Sequence, residues 1–273
     1  MRTRGRALSW AFLTVATALM VAACGSSARR EEVRLITVDQ ELRLGALCAE
    51  EVARTFSLFR DEELGRYVVD MGTRIATRSD WAGLPFTFRV LDSEEVYAFA
   101  LPGGHVFVSK GMVAVAETAS ELAAVLAREI AHVVERHGAE RVTHRYGLAL
   151  LSESLVGTNP AIGRAIIREL FTSNGILAYG REAEVGADLL ALRYMERAGY
   201  DPRGMVALVE RLRQLEQERP EALAKWRATH QPAKVRLRWL KKKLKGVSPA
   251  EYSASEDEQF RALKERVRAQ GTK

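Results

Sequence analysis

Apolar residues recur at helical spacing along most of this chain, beginning with two helical stretches near its N-terminal end. One covers residues 39–58 and the other residues 62–77, where Asp61 stands in the position of an N-cap. Strand character then appears in three short runs, at 85–91, 96–101 and 105–109. Between the last two runs, Pro102-Gly103-Gly104 has the composition of a turn, so the pattern predicts a small sheet.

Helical periodicity returns after these strands and continues almost to the C-terminus. The predicted helices cover residues 120–137, 140–155, 162–178, 181–198 and 202–218, and the charged segment from Pro220 onwards is mostly helical. The pattern therefore predicts an α+β fold that is mainly helical. We expect a main domain at 39–245 and a polar C-terminal tail at 246–273.

The N-terminus has the pattern of a secretory signal. Three arginines precede an apolar run at 8–23, which is shorter than the roughly 20 apolar residues that span a bilayer. The run ends in Val21-Ala22-Ala23-Cys24, which resembles the lipobox of bacterial lipoproteins. Residues 1–23 are thus predicted to be a signal peptide, and residues 24–38 a lipidated cysteine with its tether. An ordinary signal peptide and an uncleaved anchor are the alternatives.

The charge of the chain does not indicate a nucleic-acid partner. The formal net charge is +6, and removal of the three signal arginines, with no acidic residue before Cys24, leaves about +3. The basic stretch Lys234–Lys245 favours a solvated helix face, or a face near anionic lipid. If Cys24 is lipidated, Cys48 has no disulfide partner, and its apolar surroundings predict a core residue.

One predicted helix carries the candidate chemistry. Within it, Arg128-Glu129-Ile130-Ala131-His132 has the frame of the zinc-peptidase motif H-E-x-x-H, with arginine in place of the first histidine. In the intact motif, two histidines on one helix face bind zinc, and the glutamate acts as general base on the metal-bound water. Glu129 and His132 therefore remain as candidate base and ligand, whereas the first ligand is absent.

Three further segments accompany this helix in a characteristic order. Ala98–Gly111 precedes it, Arg181–Asp188 follows with a Glu-x-x-x-Asp pattern, and Thr229–Pro232 comes last. Together the four segments resemble the gluzincin peptidases of metallopeptidase family forty-eight, which include CAAX-prenyl endopeptidases and bacterial periplasmic quality-control proteases. The resemblance covers residues 39–240. It implies a metallopeptidase-like domain with a zinc cofactor and a small β-sheet beside the active-site cleft.

The resemblance assigns roles to residues of the expected active site. It implies that Glu129 is the general base and that His132 and Glu184 are zinc ligands. Asp188 would orient a histidine ligand through a hydrogen bond. His230 matches a histidine that comes near the metal in some relatives, and a surface histidine in a loop is an equally good interpretation.

The resemblance also implies a peptide-binding edge beside the site. A substrate would add to the cleft edge as a further strand. The residues of this edge are Leu101, Gly103, Gly104 and His105. His137 lies well round the helix from His132, and we expect it to pack against or cap the helix end.

Arginine at position 128 changes the expected chemistry. A guanidinium stays protonated and offers no lone pair to a metal. Its charge points at the position of the zinc, so we expect Arg128 to replace the metal by pairing with the Glu184 carboxylate. The alternative is a rearranged zinc site of His132, Glu184 and His230, with Arg128 turned away from them.

Three functions follow from these alternatives. The first is an impaired peptidase relative that binds unfolded or misassembled envelope proteins in quality control or assembly. The second is an active zinc endopeptidase that uses His132, Glu184 and His230, and the third is a structural lipoprotein without catalysis. We expect a lipid-anchored protein of the bacterial envelope, with Gly25 after the cysteine favouring the periplasmic face of the outer membrane.

Overall fold

Two capped helices begin the computed structural model, which describes residues 36–150, 159–172, 177–245 and 254–270. They are α1 (Val38–Thr55) and α2 (Glu62–Ala76). Thr37 and Gln40 form a reciprocal capping box at the start of α1, with hydrogen bonds of 2.8 and 3.2 Å. Asp61 caps α2 as predicted, because its carboxylate accepts the N–H groups of Glu63 and Leu64.

Three strands form a small mixed sheet in the order β1-β3-β2. The strands are β1 (Thr87–Leu91), β2 (Ala98–Leu101) and β3 (His105–Ser109). Strand β1 runs parallel to β3, whereas β2 runs antiparallel to it. The turn between β2 and β3 requires its two glycines, because Gly103 and Gly104 have φ values of 78° and 93°.

Helix α4 (Ala119–Val134) lies in the centre of the packing and follows the short helix α3 (Lys110–Val115). Every side chain from Glu121 to Val133 is buried. The sequence predicted that this helix continues to His137. It ends earlier because Arg136 adopts a left-handed conformation with φ of 58°, after which a new helix begins.

Seven further helices are described after α4. They are α5 (His137–Leu150), α6 (Pro160–Arg168), α7 (Arg181–Arg197), α8 (Arg203–Glu218), α9 (Ala224–Thr229), α10 (Ala233–Lys243) and α11 (Ala254–Gln270), with a 3₁₀ turn at Pro220–Leu223. The helix predicted at 162–178 is shorter than expected, because the hydroxyl and N–H of Thr172 both bond to the carbonyl of Glu169 and form a turn. Residues 151–155 of the helix predicted at 140–155 lie outside the described residues.

The sheet separates two hydrophobic clusters, since successive side chains of a strand point to opposite faces. Tyr97, Phe99 and Phe107 stack in the cluster that contains α1 and α6, with ring centroids 5.0 to 6.3 Å apart. The other face of the sheet packs in the larger cluster around α4, through Ala98, Ala100, Val106 and Val108. This architecture confirms the prediction of a mainly helical α+β fold.

Helix α11 packs firmly against the rest of the fold. Phe260, Leu263 and Val267 are buried at i, i+3 and i+7, which is the spacing of an amphipathic helix. The carboxylate of Asp257 accepts the N–H of Ala119, the first residue of α4, at 2.8 Å. The sequence predicts a polar, mostly helical tail at 246–273, and its described part is a helix that packs on the domain through this apolar stripe.

Residues 34–273 form one structural unit. The predicted signal peptide, Cys24 and most of the tether lie outside the described residues. No helix among the described residues combines the length and the apolar character needed to cross a bilayer. Cys48 is a buried free thiol, and burial raises its pKa to about 12.

Candidate functional site

Two packed helices and one later segment bring the candidate residues of the site together. Arg128, Glu129 and His132 come from α4, Glu184 and Asp188 from α7, and His230 from the segment after α9. All six side chains are buried, with exposures of 3% or less. Arg128 and His132 lie one turn apart on α4, as Glu184 and Asp188 do on α7, so each pair faces one direction, and Glu129 lies beside Arg128.

The guanidinium of Arg128 lies at the centre of this group. Its Nε donates to Oδ1 of Asp188 at 2.9 Å, and its Nη2 donates to Oε2 of Glu184. Its Nη1 lies 2.8 Å from Nδ1 of His230. Because arginine only donates hydrogen bonds, Nδ1 of His230 must accept this one. The guanidinium carbon also lies 5.6 Å from the ring centroid of Trp226.

Opposite charges hold Arg128 and Glu184 ionised in spite of burial. Burial opposes the charge of Arg128, but the neighbouring carboxylates, chiefly that of Glu184, raise its pKa above the usual value. Burial also opposes ionisation of Glu184, and the Arg128 charge nevertheless holds the pKa of Glu184 well below its usual range. The two residues therefore form a buried charged pair.

Asp188 joins two buried arginines. Arg236 of α10 donates from Nε and Nη2 to the Asp188 carboxylate, at 2.9 and 2.7 Å, and Oδ1 of Asp188 also accepts from Arg128. Arg236 is not recognisable as a site residue from the sequence, because it lies in a basic stretch whose pattern favours a solvated helix face. The sequence feature that indicates its burial is its position four residues before Leu240, on the apolar face of the helix.

His132 contacts His137, Tyr179 and Glu184. Its Nδ1 lies 2.9 Å from Nδ1 of His137, so one ring donates and the other accepts. The ring of Tyr179 stacks on His132 with centroids 4.3 Å apart. Nε2 of His132 faces Oε1 of Glu184 at 3.5 Å. Burial and the charge of Arg128 hold the pKa of His132 well below its usual range, so the ring is neutral.

His230 belongs to the site, and the interpretation as a surface histidine is wrong. Its ring packs on Trp226 with centroids 4.0 Å apart. Burial and the Arg128 charge lower the pKa of His230 to about 4. The N–H of the next residue, Gln231, donates to Oε2 of Glu184 at 3.1 Å. Side chain and backbone of this segment are therefore both bonded into the site.

Glu129 lies beside Arg128 without a direct hydrogen bond to it. Its Oε1 is 3.6 Å from Nη1 of Arg128 and has no hydrogen-bond partner among the described residues. Burial raises the pKa of Glu129 to about 7, although the charge of Arg128 and, more weakly, the N–H of Ala100 in β2 act against this rise. A carboxyl group with this pKa is suited to proton transfer near neutral pH.

The lone pairs of the site do not fit a zinc ion. A zinc site of this kind needs three protein ligands, and His132, Glu184 and His230 bring one ligand atom each within 4.8 Å of one another. Arg128, however, lies within 3.4 Å of both ring nitrogens of His230 and bonds to Oε2 of Glu184. Among the ligand atoms of these three residues, only Nε2 of His132 and Oε1 of Glu184 have no hydrogen-bond partner in the described part of the chain and are available to a metal. The site therefore offers two ligand atoms where zinc needs three.

The charges of the site support the same conclusion. Two arginines, Arg128 and Arg236, face two carboxylates, Glu184 and Asp188, and all four side chains are buried. These four charges balance without a metal. A divalent cation would add positive charge next to a buried guanidinium, which is costly in a low-dielectric interior.

The predicted peptide-binding edge is covered in this structure. All four residues of β2 are buried, and the N–H of Val96 just before it donates to the carbonyl of Ala222 at 2.9 Å. The turn residues of the edge, Gly103 and Gly104, follow β2 directly. A further strand that also pairs with Val96 therefore requires the chain around Ala222 to move away.

The remaining edge residues take part in the sheet. Leu101 pairs with His105 at the end of the β2–β3 ladder. Nδ1 of His105 lies 2.9 Å from the hydroxyl of Thr87 in β1. Burial lowers the pKa of His105, so its ring is neutral and acts as a hydrogen-bonding member of the sheet.

Comparison with known proteins agrees with the fold and with the motifs. Residues 62–244 match Peptidase family M48. The Beta-barrel assembly-enhancing protease of Escherichia coli (strain K12) is 27% identical over 236 residues, which cover 81% of this chain and 47% of that protein. The Mitochondrial metalloendopeptidase OMA1 of Schizosaccharomyces pombe is 32% identical over 172 residues, which cover 63% of this chain and 50% of that protein.

These alignments set the extent of the relationship. This chain spans about half the length of the curated relatives it matches, or less. The family match includes both site helices, α4 and α7, and the segment that carries His230. Because that match covers well over half of the chain, the chain belongs to peptidase family M48.

Proposed function

We propose that this chain is a catalytically impaired member of its peptidase family that acts in protein quality control or assembly in the bacterial envelope. One observation carries the proposal: Arg128 bonds to both Glu184 and His230, two of the residues that a zinc ion would need. Without a metal-bound water, Glu129 has no nucleophile to activate. The site then serves as a buried ion-pair network that joins α4, α7 and α10.

The envelope setting rests on relatives and on the N-terminal pattern. The relative from Escherichia coli is named for enhancing β-barrel assembly, and we infer clients of the same class for this chain, namely unfolded or misassembled envelope proteins. A signal peptide at 1–23 and lipidation of Cys24 would hold the protein at the membrane. Gly25 after the cysteine favours the periplasmic face of the outer membrane.

Client binding at β2 would involve the segment at 222–225, which contacts the residues just before this strand. The N–H of Val96 is held by the carbonyl of Ala222, and Lys225 pairs with Glu95 on the same side. An extended client segment would replace these contacts with strand pairing. The covered edge also supports the alternative of a structural lipoprotein, in which this segment stays in place.

A second candidate, an active zinc endopeptidase, is favoured by one feature of the site. Nε2 of His132 and Oε1 of Glu184 face each other at 3.5 Å and have no hydrogen-bond partner among the described residues. Buried polar atoms of this kind normally have a partner. This candidate requires Arg128 to leave both Glu184 and His230.

A binding and cleavage experiment on the full-length protein separates the three functions. Urea-unfolded outer-membrane β-barrel protein is diluted into buffer with zinc and wild-type protein, and both complex formation and fragments are measured. We expect a complex without fragments. Fragments that disappear in Glu129→Gln would establish the active peptidase instead, and the absence of both complex and fragments would establish the structural lipoprotein.

A further inference from the structure

Helix α10 presents one face made of positive charges. Lys234, Arg238 and Lys242 are exposed at i, i+4 and i+8, which places them in one row along the helix. Lys245 continues this row just beyond the helix end and is also exposed. We call these four residues the basic face.

The opposite face of α10 fixes the orientation of the basic face. Arg236, Leu237 and Leu240 are buried, and Arg236 bonds to Asp188 in the site. At 100° per residue, Arg238 and Lys234 lie on the side of the helix away from Arg236. The basic face therefore cannot turn inward without breaking the Arg236–Asp188 pair.

Among the described residues, no acidic side chain neutralises the charge of the basic face. No acidic residue occurs between 233 and 245. Lys241, next to the row, pairs with Glu210 at 2.5 Å, whereas the four residues of the basic face have no ion pair within the part of the chain that the structure describes. A row of uncompensated cations attracts an extended anionic partner.

We propose that the basic face docks on the anionic phospholipid surface of a membrane. Its cations lie in a single row on one helix, which matches a flat surface of lipid phosphates. A nucleic-acid site instead needs a charged groove that follows the backbone, with aromatic rings for stacking when the strand is single. Clusters of four to eight lysines and arginines on a helix are typical of binding to anionic lipid.

The length of the N-terminal segment agrees with this partner. Cys24, the predicted lipidation site, lies twelve residues before Ile36, the first described residue. Fully extended, that segment spans at most about 40 Å. A lipid anchor at Cys24 would therefore hold residue 36 within about 40 Å of a bilayer, which raises the local concentration of lipid phosphates available to the exposed cations.

The test compares the partition of the full-length protein between two kinds of vesicle. One contains phosphatidylcholine alone, and the other contains phosphatidylcholine with phosphatidylglycerol. Anchoring through the N-terminus is common to both, so the ratio of the two partition coefficients isolates the charge attraction. We expect the triple variant Lys234→Glu, Arg238→Glu and Lys242→Glu to lower this ratio at least about tenfold. High salt should lower the wild-type ratio in the same way.

A matched control changes the same net charge elsewhere. Arg43, Arg60 and Arg89 are exposed cations outside α10, and their triple change to glutamate should leave most of the ratio intact. Equal loss in both variants would show that net charge alone acts and would overturn the proposal. Binding of duplex DNA as tight as that of anionic vesicles would overturn it too. Neither result depends on whether the Arg128 site is active.

Discussion

Nε of Arg128 donates a hydrogen bond to Oδ1 of Asp188 at 2.9 Å, between two side chains that are both buried. The same carboxylate accepts two hydrogen bonds from Arg236, so an arginine–carboxylate–arginine chain links α4, α7 and α10. Glu184 pairs with Arg128 from the same side of α7. A metal with ligands on α4 and α7 would join these two helices. The ion-pair network joins them in its place.

Removal of the central charge should destabilise the protein. In Arg128→Met the apolar stem remains, but Glu184 and Asp188 lose a buried partner. We expect a loss of about 3–5 kcal/mol in the free energy of unfolding, measured by urea denaturation. The control is Arg66→Met, since the Arg66 side chain is 72% exposed and its substitution should change little. A loss below about 1 kcal/mol for Arg128→Met would contradict a structural role of the network.

The stability of the protein should carry a pH dependence from Glu129. Burial raises the pKa of this residue from 4.5 to about 7. Between these values the folded protein keeps a proton that the unfolded chain has lost, so this residue lowers stability as pH rises. Glu129→Gln should therefore gain about 2–3 kcal/mol relative to wild type between pH 5 and pH 8.

Urea denaturation of both proteins at the two pH values measures this gain. The neutral histidines of the site contribute a slope of opposite sign below about pH 6.5, because they resist protonation in the folded state. That slope is present in both proteins and cancels in the comparison. A difference between wild type and Glu129→Gln that does not change with pH would show that Glu129 titrates normally.

Lys225 should hold the segment around Ala222 in its position beside Val96, just before β2. Its Nζ lies 4.5, 5.2 and 5.7 Å from the ring centroids of Tyr97, Phe171 and Phe56. Lys225→Met keeps the apolar stem and removes the attraction between the cation and the three rings. We expect the amide of Val96, which bonds to the adjacent Ala222 carbonyl, to exchange with deuterium about tenfold faster.

The matched control for this exchange experiment is Lys241→Met. Lys241 is also ion-paired, with Glu210, but it lies on α10 and makes no described contact with these rings. Its substitution should leave exchange at Val96 unchanged. Equal exchange in wild type and Lys225→Met would mean that the aromatic rings do not hold this segment.

Periodicity predicted most of the fold because the helices have apolar stripes and clear caps. Asp61 before α2 and Gly199 after α7 are examples in which one residue marks a helix boundary. The sequence predicts helix in the C-terminal segment but not its packing, because the apolar stripe of Phe260, Leu263 and Val267 is thin and the other positions are mostly polar. Local pattern alone does not reveal which polar segments find a packing partner.

The site was predictable only where a motif fixed the residues. The Arg128–His132 frame and the Glu184–Asp188 pattern indicated one helix face each, and the structure brings these faces together. Trp226, Tyr179 and Arg236 complete the site through packing of chain segments that are distant in sequence. A buried arginine within a basic stretch has no local signal apart from its place between apolar neighbours.

Zinc content per chain is the most direct test of the central claim that Arg128 replaces the metal. Full-length wild type and Arg128→His are purified in the same zinc-containing buffer and dialysed, and bound metal is measured by mass spectrometry. We expect no zinc above the buffer level in wild type and about one zinc per chain in Arg128→His, which restores the third ligand. Stoichiometric zinc in the wild-type protein would show that Arg128 does not replace the metal.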